Sequence, residues 1–212
     1  MGGFELAKGC YTGTNVEQES LRNRNLRTLA ALAGLFLLPL AVAFWMYYGS
    51  QWRPAAHVNH GELITPARPL PGVELPHALA AGSSSGLFRK KWTLVYIGEG
   101  HCDETCHRAL YVMRQVRLLL NQEMTRVARA FLVTGNCCDR DYLDREQAGL
   151  EVLDAQADTG ATLLSRFPMT ERAHSLYIVD PQGNLMMRYD IRQDPKGLLE
   201  DLKKLLSLSH IG

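Results

Sequence analysis

The sequence has little net charge and lacks the patterns that nucleic-acid-binding proteins carry. Its 23 lysines and arginines nearly balance 22 aspartates and glutamates, which leaves a formal net charge of +1. No basic stretch alternates with aromatic residues. A polyanion-binding surface is therefore not expected.

Cysteine is also scarce, with five residues in a chain of 212. This number is too small for a disulfide scaffold, and the spacing of the cysteines matches no zinc finger. No internal repeat is evident. Four of the five cysteines are clustered, at positions 102, 106, 137 and 138. Cysteines clustered in this way more often take part in redox chemistry or metal binding than stabilise a fold through disulfides.

Charge is absent from residues 28–52, between Arg27 and Arg53. Residues 28–48 are apolar with no polar face, and a helix of about 20 such residues crosses a hydrocarbon core of roughly 30 Å. Aromatic rings that favour the headgroup zone stand at one end of the run: Trp45, Tyr47 and Tyr48. The sequence therefore predicts a single transmembrane anchor over residues 28–48.

The arginines around this segment are distributed unequally. Arg53 follows it closely, whereas three arginines precede it: Arg22, Arg24 and Arg27. The positive-inside rule places residues 1–27 in the cytoplasm as an N-terminal tail and the C-terminal part on the other side. The expected location is an inner (cytoplasmic) membrane with the C-terminal domain in the periplasm, or in the mitochondrial intermembrane space of a eukaryote.

A cleavable signal peptide is the alternative to a permanent anchor, because Ala41–Ala43 resembles a small-x-small processing site. The leader before the apolar run is long, however, and the run continues beyond Ala43, which favours an anchor. Either way the C-terminal part leaves the cytoplasm. Cys10 stays on the other side of an uncleaved anchor, where it is expected to be a free thiol.

The composition shifts after the apolar run. Residues 49–88 hold five of the nine prolines and the glycine–serine run Gly82–Gly86. This composition predicts a tether that is first stiff and then flexible. Within it, Gly61–Ile64 has the residues to pair as an edge strand of the domain that follows, over residues 89–212.

Strand and helix patterns alternate in this last part. The patterns predict strands over residues 92–97, 130–133, 174–179 and 185–189, and a mostly helical stretch over residues 142–165. A helix after the first strand presents one apolar face, formed by Leu110, Met113, Val116, Leu119 and Leu120. Asp194 and Pro195 start the last helix as cap and first residue. The order β-α-β-α-β-β-α predicts an α/β domain with the thioredoxin arrangement.

Cys102 and Cys106 follow the first strand and a glycine break, at the opening of a helix. A spacing of four residues puts both sulfurs on one face. The helix N-terminus stabilises thiolates, although the charges of Asp103 and Glu104 oppose them. The thiolate is both the nucleophile and the metal-binding form of cysteine. Three interpretations of the pair therefore stay open: thiol–disulfide chemistry, metal binding, and a purely structural role for two buried cysteines.

Three segments resemble the SCO/SenC family, which comprises copper-assembly proteins of cytochrome oxidase with a thioredoxin-like fold. WTLVYIGEGHCDETCHRAL is similar to the family's strand and T-H-C-P-x-x-C-P segment. AHSLYIVDPQGNLM is similar to its D-H-S, strand and V-D-P-x-G, and CCDRDYLD aligns Arg140 and Asp141 with its D-P-x-R-D. With the N-terminal anchor, the resemblance covers the chain from about residue 29 to the end.

The resemblance implies that Cys102 and Cys106 are thiolate ligands and that His174 is an imidazole ligand. Such a soft, three-donor set suits Cu(I) and also holds Cu(II), and zinc can bind the same donors. The implied function is a copper metallochaperone that assists assembly of the copper centre of a respiratory cytochrome c oxidase. Its expected partner is the copper-bearing oxidase subunit or another copper chaperone.

Two other functions stay open from the sequence. In a thiol–disulfide oxidoreductase that reduces cysteines of the oxidase copper site, Cys102 and Cys106 are the redox pair and His174 is a bystander or an acid–base helper. In a chemically inactive thioredoxin-fold assembly factor, none of the three reacts. A metallochaperone is favoured over an enzyme.

The sequence also departs from the family pattern. Asp103 and His107 replace prolines, and Ala173 replaces an aspartate that could orient the imidazole. His101 and His107 flank the cysteine pair and are candidates for substitute or extra ligands. The favoured alternative is that His101 is the family's histidine at that position and that His107 is a solvated helix residue.

The adjacent residues Cys137 and Cys138 stand where the family has Asp-Pro. One interpretation is that they shuttle electrons to the Cys102–Cys106 pair. The other is that they are two reduced cysteines at a strand end.

Overall fold

A computed structural model of the chain describes residues 13–49, 59–209 and 211. The chain divides into two compact units, Met1–Ala56 and His57–Gly212. The first part of the predicted cytoplasmic tail, with Cys10, lies outside the described residues, as do residues 50–58 of the predicted tether.

The first unit contains one long helix, α1, over Gly13–Tyr48. Its stretch Arg22–Tyr48 is long and apolar enough to cross a membrane, and no residue of the most apolar 18-residue part of this stretch is buried in the structure. Pro39 lies inside this helix. The length and composition of α1 fit a single-pass membrane anchor.

The second unit is built on a six-stranded sheet with the order β1-β8-β7-β4-β5-β6. Its strands are β1 (Glu62–Pro69), β4 (Trp92–Gly98), β5 (Val127–Val133), β6 (Glu151–Asp154), β7 (Ser175–Val179) and β8 (Asn184–Asp190). The strands β4, β5 and β6 are parallel, while β7, β8 and β1 run antiparallel to their neighbours. A separate two-stranded ribbon consists of β2 (Leu75–Pro76) and β3 (Ser83–Ser84).

Helices cover both faces of this sheet. They are α2 (Glu104–Leu119), α3 (Arg140–Glu146), α4 (Asp158–Leu164) and α5 (Pro195–Leu208), with two 3-10 helices over Asn121–Arg126 and Arg172–His174. Three parallel strands followed by an antiparallel hairpin and a final helix confirm the predicted thioredoxin-like α/β fold.

Strand β4 is the centre of the domain, because its side chains alternate between two apolar clusters. Leu94 and Tyr96 belong to the cluster under α2 and α5. Val95 and Ile97 belong to the cluster on the opposite face. Burial on both faces holds the carboxyl end of β4, and therefore the start of the cysteine loop, in a fixed place.

The prediction that residues 142–165 are mostly helical is wrong for the middle of this range. Residues Glu151–Asp154 form β6, which pairs in parallel with β5. Val152 and Leu153 are buried there. Two apolar residues are too few to reveal a strand by periodicity, so the pairing with β5 decides the conformation.

The predicted apolar face of α2 is correct except at one residue. Leu110, Met113 and Val116 are buried, but Leu119 is 53% exposed. The helix ends at Leu119, and its C-cap Leu120 takes the buried position instead.

Residues 59–88 belong to the second unit and pack against its sheet and final helix. Strand β1 pairs with β8 at the edge of the sheet. The buried carboxylate of Asp201 on α5 accepts hydrogen bonds from the backbone N–H groups of His60 (2.9 Å) and Gly61 (2.8 Å). Asp201 thus fixes the point at which β1 begins. The predicted division of the chain at residues 27, 48 and 88 stays a prediction.

Candidate functional site

Cys102 and Cys106 are joined by a disulfide, with their Cα atoms 5.0 Å apart. Cys102 lies in the loop between β4 and α2, and Cys106 lies in the first turn of α2. The two residues are 6% and 2% exposed, respectively. The pairing that four-residue spacing suggests is therefore formed in the structure.

The loop that brings the sulfurs together is held by its own backbone. The N–H of Cys102 donates to the carbonyl oxygen of Glu99 at 3.3 Å. The φ angle of Cys102 is +32°, a left-handed conformation that non-glycine residues seldom adopt and that is often found at functional sites. Asp103 caps α2, because its carboxylate accepts a hydrogen bond from the N–H of Cys106 at 2.8 Å.

A cleft of about 580 Å³ opens beside the disulfide. Its lining combines both cysteines with charged, aromatic and small residues, among them Tyr96, Glu99, His101, Asp103, Arg172 and Ala173. A small thiol or a metal ion can therefore approach the two sulfurs through this cleft.

Tyr96 connects the cysteine loop to the segment before β7. Its hydroxyl donates a hydrogen bond to the carbonyl oxygen of Ala173 at 3.2 Å. Burial, together with the nearby Asp103 carboxylate, raises the pKa of Tyr96 far above its usual value. The phenol therefore stays protonated and remains a donor at neutral pH.

His174 ends the 3-10 helix Arg172–His174 and is half-buried. Its carbonyl oxygen accepts a hydrogen bond from Ile191 at 2.9 Å. Arg172 and Ala173 line the cleft, whereas His174 is not among the lining residues. The structure therefore places His174 directly after two residues that border the cleft.

In this oxidised form the two sulfurs are bonded to each other. Within the described ranges 13–49, 59–209 and 211, no group of three or more His, Cys, Asp or Glu side chains is arranged to hold a metal ion. Because the thiolate is the metal-binding form of cysteine, metal binding at this pair requires reduction of the disulfide.

The two flanking histidines have different surroundings. His101 is exposed and lines the cleft. The ring of His107 stacks on the ring of Tyr142, with centroids 3.9 Å apart. His107 is thus a packed residue and not the solvated one that the sequence suggested, and only His101 borders the space beside the sulfurs.

Cys137 and Cys138 are also joined in a disulfide, in the loop between β5 and α3. Cys137 is exposed, while Cys138 is half-buried and packs against the apolar cluster that contains Cys102 and Cys106. The backbone N–H of the next residue, Asp139, donates to the carbonyl oxygen of Gly100 at 3.1 Å. The loops that carry the two cysteine pairs are therefore in direct contact.

Arg140 and Asp141 begin α3 and are exposed. The structure thus keeps both residues that align with the family's D-P-x-R-D at the surface, one turn from the vicinal cysteines.

Two residues of the site were missed by the sequence reasoning. Tyr96 was recognised only as part of a buried strand, and nothing in the pattern showed that its hydroxyl holds Ala173. Arg172 borders the cleft because its guanidinium donates to the carbonyl oxygens of Leu164 (3.0 Å) and Phe167 (3.1 Å). These hydrogen bonds span eight and five residues of the chain and leave no periodic pattern in the sequence.

The chain is similar to known proteins in one family model and in several solved structures. A family model described as "Transmembrane-like, thioredoxin-like, C-terminal domain" matches residues 92–209. No curated protein sequence matches the chain. Several solved structures share its fold.

One of these is copper-bound ScoI of Bradyrhizobium japonicum, with 18% identity, a TM-score of 0.51, and coverage of 64% of this chain and 98% of that chain. Copper-bound yeast Sco1 has 13% identity and a TM-score of 0.57, over 66% and 92% of the two chains. BsSco, described as having a disulfide switch, has 14% identity and a TM-score of 0.53, over 70% and 99%. At these identities the likeness is one of fold.

The resemblance to SCO/SenC proteins that the sequence motifs indicate is thus confirmed in the fold. The family match covers the strand that leads into Cys102, both cysteine loops, the turn that holds His174 and the final helix. The chain therefore belongs to the family of transmembrane-like, thioredoxin-like C-terminal domains, with the fold of the Sco proteins.

Proposed function

We propose that this chain is a membrane-anchored copper metallochaperone that assists assembly of the copper centre of a respiratory cytochrome c oxidase. The observation that carries the proposal is the position of Cys102 and Cys106, whose sulfurs meet at a helix N-terminus beside an open cleft. After reduction, the two thiolates and the imidazole of His174 hold one copper ion as cargo.

The donor chemistry supports this assignment. Two thiolates and an imidazole are soft or intermediate ligands, which favour Cu(I) and can also bind Cu(II). Three protein ligands leave a coordination position free for a ligand of the recipient, so the ion can be passed on. Reduction also frees the Cys102 loop from its covalent tie to α2.

The location of His174 supports its role as the third ligand. The two residues before it line the cleft, so a rearrangement of the short turn Arg172–His174 brings its imidazole toward the sulfurs. Ala173 carries no polar side chain that could orient this imidazole, and so the site is expected to hold copper less rigidly than one with a carboxylate there.

The relatives in structure suggest the partner. BsSco is described as a member of the Sco family of cytochrome c oxidase assembly proteins. The recipient is accordingly the copper-bearing subunit of the oxidase, or another copper chaperone on the same side of the membrane. Arg22, Arg24 and Arg27 favour a cytoplasmic N-terminus. The domain then faces the periplasm or, in a eukaryote, the mitochondrial intermembrane space.

A second candidate function is favoured by one observation, the Cys102–Cys106 disulfide itself. A thiol–disulfide oxidoreductase cycles between this bond and the dithiol while it reduces the cysteines of the oxidase copper site. Either cysteine attacks and the other resolves the mixed disulfide.

A copper-counting experiment separates the two functions. The full chain in detergent is reduced, loaded with Cu(I) and freed of excess metal, and copper per chain is measured for the wild type and three variants. We expect about one copper per wild-type chain, near-complete loss in Cys102→Ser and His174→Ala, and retention in the matched variant His101→Ala. If His101→Ala loses copper and His174→Ala retains it, His101 is the third ligand and His174 is not.

The same preparations are assayed for reduction of a protein disulfide. If the wild type binds no copper and His174→Ala keeps full reductase activity, the metallochaperone proposal is overturned in favour of the oxidoreductase. A Cys102→Ser protein that keeps both copper and reductase activity would show that the site is elsewhere.

A further inference from the structure

The second cysteine pair, Cys137–Cys138, takes no part in the proposed copper site. We propose that it is a redox relay, which accepts two electrons from an external protein dithiol and passes them to the Cys102–Cys106 disulfide. The inference rests on the proposed function, since it assumes that Cys102 and Cys106 must be reduced before they act.

The topology places the two pairs side by side. Cys102 follows β4 and Cys137 follows β5, and these strands are parallel neighbours in register from Trp92–Val127 to Gly98–Val133. Their loops therefore leave the same edge of the sheet. Hydrogen bonds join the loops at both ends, from Thr134 N–H to Gly98 oxygen (3.0 Å) and from Asp139 N–H to Gly100 oxygen (3.1 Å).

Gly100 allows the loops to touch. A Cβ atom at this position would lie 2.6 Å from the Cα of Cys137 and 2.7 Å from the carbonyl oxygen of Asn136, closer than real Cβ contacts. Cys102 is only two residues beyond Gly100, so its Cα lies within roughly 8 Å of the Cα of Gly100. The two pairs therefore lie on touching loops, and the proposed transfer requires side-chain and loop movements that bring one sulfur of each pair together.

The burial of the four cysteines suggests the direction of transfer. Cys102 and Cys106 are 6% and 2% exposed. This burial prevents the thiol of a bulky protein from lining up with their S–S bond to attack it. Cys137 is exposed, so a protein dithiol can reach it. Cys138 is half-buried against the cluster that contains Cys102 and Cys106. The vicinal pair thus has one exposed cysteine and one that packs against the apolar cluster containing the buried disulfide.

The transfer balances as two thiol–disulfide exchanges in sequence. First, the external dithiol reduces the Cys137–Cys138 bond and is itself oxidised to a disulfide. The thiolate of Cys138 then attacks one sulfur of the Cys102–Cys106 bond, which breaks and releases the other as a thiolate. Finally, the thiolate of Cys137 attacks the sulfur of Cys138, which restores the vicinal disulfide and releases the second thiolate. Two electrons and two protons have moved to Cys102 and Cys106.

A reduction experiment with two reductants tests the relay. The oxidised full chain in detergent, carrying Cys10→Ser, is the control, and the test variant adds Cys137→Ser and Cys138→Ser. Each is reduced by thioredoxin or by dithiothreitol, and the free thiols of Cys102 and Cys106 are followed over time by alkylation and mass spectrometry. We expect the test variant to be reduced by thioredoxin at least about tenfold more slowly, while dithiothreitol reduces both proteins within about twofold of each other.

Two results would overturn the relay. One is reduction by thioredoxin at the same rate in both proteins. The other is an equal slowing with both reductants, which would mean that the substitutions changed the Cys102–Cys106 disulfide and removed no relay.

A trapping variant gives a second, independent readout. With Cys137→Ser, the thiolate of Cys138 has no partner that resolves its mixed disulfide. A Cys138–Cys102 or Cys138–Cys106 bond should then accumulate and be found by peptide mapping. Its absence, in a protein whose Cys102–Cys106 disulfide is intact at the start, contradicts the transfer step.

Failure of the relay and failure of the proposed function are distinguishable. Copper loading is measured on chemically reduced protein, where no relay is needed, and the vicinal double variant should bind copper as the control does. Normal copper binding with no effect of the vicinal pair on thioredoxin kinetics rejects the relay alone. No copper binding by the wild type rejects the proposed function, while the alkylation kinetics still report on the relay.

Discussion

The hydroxyl of Tyr96 donates a hydrogen bond to the backbone carbonyl oxygen of Ala173 at 3.2 Å. Tyr96 lies at the end of the strand that leads into the cysteine loop, and Ala173 precedes His174 in the turn beside the cleft. One side chain therefore links the two halves of the proposed copper site in the disulfide-bonded form.

Removing this hydroxyl should weaken both the fold and the site. We expect Tyr96→Phe to lower the free energy of unfolding by about 1 kcal/mol, because the Ala173 carbonyl loses its partner. It should also weaken Cu(I) binding, as measured by competition with a chelator. Tyr177→Phe is the matched control, since the hydroxyl of Tyr177 donates to the carbonyl oxygen of Pro168 at 3.1 Å in the other apolar cluster. An equal loss of copper affinity in both variants would contradict a specific role for Tyr96.

The same tyrosine predicts a dependence of stability on alkaline pH. Burial, with a smaller contribution from Asp103, raises the pKa of Tyr96 in the folded state well above its usual value. Below pH 10 the phenol is protonated in both states, and stability is fully present. Above pH 10 it ionises only in the unfolded state, so stability falls as pH rises, by up to about 1.4 kcal/mol per pH unit for this group.

Urea unfolding of the oxidised protein between pH 9 and 11 measures this effect. Tyr96→Phe lacks the ionisable group, so its stability should fall less steeply than that of the wild type. Parallel pH profiles of the two proteins would show that Tyr96 does not resist ionisation in the fold.

The close approach of the two cysteine loops can be tested at Gly100. An alanine Cβ would meet the backbone of Asn136 and Cys137, which cannot move without shifting the loop. We expect Gly100→Ala to cost about 1–3 kcal/mol of stability. Gly72→Ala is the control, because a Cβ at Gly72 meets no atom within 4 Å, and its cost should stay within about 0.5 kcal/mol. Similar unfolding midpoints for the two variants would mean that the loops are not in contact.

The beginning of β1 depends on the carboxylate of Asp201. Its oxygens accept hydrogen bonds from the backbone N–H groups of His60 and Gly61, and the side chain is 3% exposed. Asp201→Asn weakens two charge-assisted bonds, so we expect a loss of about 2–4 kcal/mol and faster proteolysis within residues 59–69. Glu200→Gln removes a charge from a neighbouring, half-exposed side chain and should change stability by less than about 0.5 kcal/mol. Unchanged proteolysis in Asp201→Asn would contradict this role.

Local signals in the sequence were sufficient for some elements. The Asp194–Pro195 pair predicts the start of α5, and in the structure Asp194 caps that helix through the N–H of Lys196 at 2.9 Å. The buried strand β4 and the helix that follows were equally predictable, because a short continuous apolar run that ends at a glycine break differs clearly from a one-sided apolar pattern with a period of 3.6. The arrangement of Cys102 and Cys106 at that junction followed from them.

Contacts between distant segments account for what the sequence did not reveal. Strand β6 owes its conformation to pairing with β5, and Leu119 is exposed because α2 ends there. The segment 59–88 has the composition of a tether, yet Leu70, Leu75 and Phe88 are buried against the domain. Within the site, neither the Tyr96–Ala173 bond nor the contact of Gly100 with Cys137 leaves a periodic or spacing signal.

Copper binding through both sulfurs of reduced Cys102 and Cys106 is tested by the absorption spectrum of the reduced full chain during titration with Cu(II). We expect a sulfur-to-copper charge-transfer band that saturates at about one equivalent and is lost in Cys102→Ser and in Cys106→Ser. A wild-type spectrum without this band, or a band that persists unchanged in both variants, would show that the two sulfurs do not bind copper.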